Sequence, residues 1–97
     1  MSKIFEVTDK NGKEISLSSE RWKHITSTHN EMNNYLDEIK IAITTPLKII
    51  MHEKGGLFDY YFYLKHREHP EKYLKVIVKY LNGSGFVITT YFVRNIK

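Results

Sequence analysis

Two histidines, His24 and His29, stand five residues apart in the stretch RWKHITSTHNEM. Far along the chain, VITTYFVRNIK carries Thr89, Tyr91 and Arg94, and YLKVIVKY carries Lys79. An imidazole has an ordinary pKa of roughly 6.5, so it can take or give a proton near neutral pH. Lysine, arginine, threonine and tyrosine can donate to negative charge that builds up in a transition state. Acting together, these groups would do acid–base chemistry on an anionic, phosphate-bearing substrate. They must first be brought together from opposite ends of the sequence.

Each residue also has a plainer use. His24 suits a solvated helix face, and His29 suits a helix end, where its charge would meet the dipole. Thr89 and Tyr91 are good strand residues in any case. Lys79 can be an ordinary solvated lysine, and Arg94 lies near a terminus. Glu31 is a candidate carboxylate, but its better reading is a favourable charge at a helix start. Zinc is not expected. Five residues of helix turn His24 and His29 about 140° apart, the wrong geometry for one ion. His66 and His69 are close in sequence but have no evident carboxylate or cysteine partner.

The elements that must hold these residues can be read from periodicity. In residues 73–93, two runs rich in Val, Ile, Tyr, Phe and Thr flank Asn82-Gly83-Ser84-Gly85. Such side chains fit a pleated surface, and the turn cluster supplies positive φ. A long antiparallel hairpin at the centre of a sheet is predicted. Strict alternation then puts Phe86, Ile88, Thr90 and Phe92 on one face, and Val87, Thr89, Tyr91 and Val93 on the other. One hairpin would present Lys79, Thr89 and Tyr91 on a rigid platform.

Upstream, residues 4–8 read as a strand, Asp9-Lys10-Asn11-Gly12 as a turn, and Ile15 and Leu17 as a second short strand. Ser18 is a plausible N-cap for a helix over 21–28, with Glu20 in its first turn. A second helix is predicted over 31–44, where Met32, Tyr35, Leu36, Ile39, Ala42 and Ile43 form an apolar stripe. Pro46 stops it. Residues 47–52 read as a strand, and 57–65 as an aromatic strand holding Tyr61 and Tyr63. A basic loop over 66–72 contains Arg67. The two tyrosines suit base stacking or, more simply, core packing. Arg67 suits a phosphate backbone or an ordinary solvated loop. The fold class expected is α+β, one domain over residues 1–97: a short N-terminal β-hairpin, two helices, then a curved antiparallel sheet of about four strands.

Composition bounds the rest. With 97 residues, 41% of them apolar, the chain can form one small core. It has no cysteine, which excludes disulfides, thiolate metal sites and a cysteine nucleophile. MSKIFEVTD lacks the apolar run of a signal peptide, and no run reaches the roughly 18 apolar residues of a membrane span. A cytoplasmic location is expected. A net charge of +4 favours anionic partners, nucleic acid first.

RWKHITSTHNEM, the following helix ending in TTP, and the closing strand VITTYFVRNIK together resemble the phage-type branch of the barnase–EndoU–colicin–RelE ribonuclease superfamily. The resemblance spans about residues 17 to 96. It implies two helices before a four-stranded antiparallel sheet, and RNA cleavage without a metal or any other cofactor. It implies catalytic roles for His24, His29, Thr89 and Tyr91 by motif, and for Lys79 by position in the fold. From residue type and place in the chain, not from the resemblance, Arg94, Tyr61, Tyr63 and Arg67 are the candidate RNA-binding residues. An antitoxin or immunity protein is the implied partner.

Three functions are consistent with these residues. The first is a metal-independent endoribonuclease of toxin type, which cleaves by 2′-hydroxyl transesterification. The second is an RNA-binding module of the same fold without the chemistry. The third is a protein-interaction domain using the aromatic sheet.

Overall fold

The computed structural model describes residues 2–53 and 55–96. Strands β1 (Lys3–Thr8) and β2 (Glu14–Ser18) form the N-terminal hairpin. Its turn is an Asx-type loop, in which Asp9 Oδ1 accepts from the amides of Asn11 and Lys13, both at 2.9 Å. Helix α1 (Ser19–Thr28) follows directly, and the Ser18 hydroxyl accepts from the Arg21 amide at 3.0 Å. This side-chain cap satisfies one of the orphan donors of the first turn.

The expected second helix starts later than its apolar stripe suggests. Residues Asn30–Asn34 wind as a 3₁₀ turn, and α2 runs over Leu36–Thr44. Asparagine competes with helical bonding through its own side chain, and Asn33 Nδ2 donates to the Asn30 carbonyl at 3.1 Å. Beyond that turn the stripe behaves as expected: Ile39, Ala42 and Ile43 are fully buried.

Four more strands follow: β3 (Lys48–Met51), β4 (Leu57–Tyr63), β5 (Tyr73–Leu81) and β6 (Ser84–Val93). The fold is α+β as expected, but the sheet has six strands rather than four, in the order β1-β2-β6-β5-β4-β3. It is also mixed, because β2 runs parallel to β6 through Ile15↔Gly85 and Ser16↔Phe86. The N-terminal hairpin therefore extends the main sheet instead of standing apart. Gly85 lies at this joint because a Cβ there would come within 2.9 Å of Ile15 Cδ1. The β5–β6 reversal is the predicted one, with φ of +55° at Asn82 and +85° at Gly83, matching the twist that a two-residue hairpin requires.

Strict alternation along β6 fails at one point. Ile77 pairs with Thr89 but Val78 pairs with Val87, so Ile88 is an extra residue, a β-bulge. Val87 and Thr90 consequently share the core face, at 1% and 0% exposure. Phe86, Thr89, Tyr91 and Val93 share the other, outer face. The core lies between the sheet and the helices, with Ile25 of α1, Met32, the α2 stripe and Leu74, Val76 and Val78 of β5.

A second tie fixes the N-terminal hairpin. Tyr60 of β4 donates to Asp9 Oδ2 at 3.0 Å, Tyr80 of β5 donates to the same oxygen, and the two phenols touch. Burial pushes the Tyr60 phenol up to about 12, with Asp9 reinforcing the shift. Burial, Asp9 and Tyr60 together raise Tyr80 further. Burial alone would raise Asp9, but the phenols and turn amides outweigh it and hold the carboxyl below its ordinary value. No helix among the described residues is long and apolar enough to cross a membrane.

Candidate active site on the outer sheet face

The face turned away from the helices carries a polar row built by strand register. Lys48 pairs with Tyr61, Tyr61 with Lys75, and Lys75 with Tyr91, so the four side chains project together from β3, β4, β5 and β6. Two residues further along, Asp59 of β4 and Thr89 of β6 flank Ile77. Lys75 is the centre of this arrangement. Its ammonium lies 5.9 Å from the Tyr61 ring centroid and 5.7 Å from that of Tyr91. It also lies 3.5 Å from Asp59 Oδ2.

Asp59 is only 6% exposed, and its other oxygen is 2.7 Å from His52 Nε2. Burial would lower the Lys75 pKa. The Asp59 carboxylate, with Tyr91 and Tyr61, outweighs burial and holds it above the ordinary lysine value. Lys75 is therefore a fixed cation, unsuited to acting as a base.

The early helix reaches this face through His29. β2 pairs only with the start of β6, and α1 packs against β6 as well. His29 closes α1 with its amide on the Ile25 carbonyl at 2.7 Å. Its ring stands 5.3 Å from that of Tyr91, tilted by 36°. On the other side, Tyr61, Lys75, Val93, Arg94 and Asn95 line a cavity of about 260 Å³. Arg94 is exposed, with Nε 3.3 Å from Glu71 Oε2. The assembly joins a fixed cation, a second cation at a cavity mouth, a phenol and an imidazole, which suits a phosphoryl group.

The sequence-predicted residues thus fall into groups. Tyr61, Tyr91 and Arg94 gather around Lys75, His29 meets the far side of the group through the Tyr91 ring, and Thr89 lies two positions along β6 opposite Ile77. Tyr61 is 2% exposed, and it is buried on the outer face, not among the helices. Lys79 shares the face but pairs with Leu57 and Phe86. Four residues separate it from Lys75, about 13 Å of strand. His24 is exposed on α1 and lines a separate groove of about 510 Å³ with Arg21, Ser16 and Phe86. Tyr63 lies beyond the centre, 43% exposed, with its ring 4.9 Å from that of Tyr73. Arg67 is on the helix side, its guanidinium 3.6 Å from the Phe92 centroid and bonded to the Glu71 carbonyl. That contact pins the loop after β4 to the core.

Lys75, Asp59 and His52 were not singled out from sequence. Asp59 was legible in principle, as a lone carboxylate inside the aromatic strand LFDYYFY. Lys75 needed the register of β5 against both neighbours. Among the described residues, no group of three or more His, Asp or Glu could hold a metal ion. The chain matches no family model, no curated protein and no solved structure.

Proposed function

We propose that this protein is a metal-independent endoribonuclease of toxin type, cleaving RNA by attack of a 2′-hydroxyl on the adjacent phosphate. The observation that carries the reading is the convergence of His29, Tyr91 and Lys75, with the imidazole 5.3 Å from the phenol ring and the ammonium 5.7 Å from it. In this reading the scissile phosphate lies against Lys75, whose charge opposes the negative charge growing on the phosphorane. Arg94 holds a non-bridging oxygen from the cavity mouth, and Thr89 donates beside Tyr91. His29 and the Tyr91 phenol move the two protons, one from the 2′-hydroxyl and one to the leaving 5′-oxygen. Asp59, braced by His52, is a positioning residue that keeps Lys75 charged and in place. A cytoplasmic site of action and a neutralising antitoxin or immunity protein belong to the same proposal.

The test is incubation of purified protein with RNA in excess chelator, followed by analysis of product ends. The expected products carry 2′,3′-cyclic phosphates, and His29→Ala, Tyr91→Phe and Lys75→Ala suppress them. Undiminished cleavage in all three variants would sink this centre. Salt-dependent RNA retention without any cleavage would assign the face to an RNA-binding module.

A further inference from the structure

The groove beside His24 has no part in the centre just described, yet its chemistry is specific. It lies where α1 meets the β2–β6 joint. Phe86, 36% exposed, leaves a large apolar ring at the surface of a strand. Arg21 and His24 line the same groove from α1, one helical turn apart, and Ser16 stands opposite Phe86 across the parallel joint. Lys3 lies at the groove too, with its ammonium 3.0 Å from Glu6. Glu20 lines the groove as well, a carboxylate among the cations Arg21 and Lys3. An exposed ring flanked by a guanidinium, an imidazole and a hydroxyl matches a nucleotide: base on the ring, phosphate on the cations.

The groove also continues the face of the candidate centre. Phe86 pairs with Lys79, and Lys79 projects on the same side of β5 as Lys75. The bulge at Ile88 makes this so, since without it Phe86 would share the face of Thr90. Along the face, Phe86 lies about 13 Å of strand from the Lys75–Tyr91 row. A dinucleotide seated with its phosphate on Lys75 does not reach it, whereas a longer strand does.

We propose that this groove is a base subsite for unpaired RNA, with Phe86 as the stacking platform and Arg21 and His24 as phosphate donors. It rests on the ribonuclease reading only for the identity of the polymer. A base in a duplex has both faces covered, so the occupant must be single-stranded or locally unstacked. The strand would run beside α1, from Phe86 and Lys79 at one end to Lys75 and Arg94 at the other. The aromatic ring gives a preference for length without reading sequence.

The test uses the full chain and two uncleavable probes: a 2′-O-methyl RNA pentanucleotide and an abasic pentamer of the same charge. Phe86→Ala is expected to weaken pentanucleotide binding about tenfold and to leave abasic binding as it was. Phe86→Trp restores the affinity, which separates lost stacking from damage to the strand. Arg21→Ala is expected to weaken both probes and to reduce the salt dependence by about one ion. Equal pentanucleotide affinity in Phe86→Ala and the parent would overturn the subsite. So would an equal loss on both probes. Cleavage of RNA with affinity indifferent to Phe86 keeps the nuclease and removes the subsite. Phe86-dependent binding by a protein that never cleaves supports the subsite and removes the nuclease.

Discussion

Lys75 and Asp59 face each other diagonally across β4 and β5, Nζ to Oδ2 at 3.5 Å, between the rings of Tyr61 and Tyr91 and the side chain of Ile77. Neither charge is well solvated, with 20% and 8% of their side chains exposed. Removing one leaves the other poorly compensated. Lys75→Ala is expected to lower stability by about 1–3 kcal/mol and cleavage by roughly 10²–10³-fold. Asp59→Asn is expected to release the Lys75 pKa downward, which NMR titration of the lysine side chain reads directly. An unchanged lysine titration in Asp59→Asn would contradict the positioning role.

The Asp9–Tyr60–Tyr80 tie sets two pH limits on stability. The folded Asp9 pKa lies below its ordinary 3.8. Its contribution is therefore present above that value and is lost as pH falls through the folded pKa. The folded Tyr60 pKa lies above its ordinary 10.0, at about 12. That contribution is present below 10.0 and is lost as pH rises through about 12, and raised Tyr80 acts in the same sense. Thermal melts against pH should show both limbs. The double variant Tyr60→Phe, Tyr80→Phe should flatten the alkaline limb, at a cost of about 1–3 kcal/mol near neutrality, because Asp9 loses two donors.

Gly85 reports on the parallel joint. A methyl there would meet Ile15 Cδ1 at 2.9 Å and the Tyr80 ring at 3.1 Å. Gly85→Ala is expected to destabilise by about 1–3 kcal/mol in urea titration, the usual cost of overpacking. Ile15→Val removes the nearest contact, so the double variant should recover part of the loss. Additive losses would show that the joint fails for another reason.

The two arginines proposed from sequence as RNA contacts should now separate. Arg67 is held over Phe92, and Arg67→Ala is expected to lower the melting temperature while leaving the salt dependence of RNA binding unchanged. Arg94 is exposed, and Arg94→Ala should do the reverse, reducing the salt slope by about one. Filter binding at several salt concentrations, beside a thermal melt, tells them apart.

Most elements could be read from local signals. Ser18 announces α1, Asn82-Gly83 announces the hairpin, and Ile39, Ala42 and Ile43 announce the buried face of α2. What escaped was whatever depends on partners distant in sequence. The bulge at Ile88 breaks period two without leaving a glycine or proline behind, so Val87 was placed on the wrong face. The parallel β2–β6 joint has no turn to signal it. Lys75 and Lys79 sit alike in YLKVIVKY, and only the pairing of Lys75 with Tyr61 and Tyr91 distinguishes them. Asparagine at 30, 33 and 34 was outweighed by the apolar stripe around it, which hid the 3₁₀ turn.

The most direct test is the single-turnover rate of 2′,3′-cyclic phosphate formation from RNA in excess chelator, comparing the parent protein with Lys75→Ala and Lys79→Ala. The expected result at saturating protein, where a loss of strand affinity does not show, is cleavage by the parent, loss of at least 10²-fold in Lys75→Ala, and a rate for Lys79→Ala close to the parent's. No cleavage by the parent, or equal rates in Lys75→Ala and the parent, would contradict a catalytic centre at Lys75.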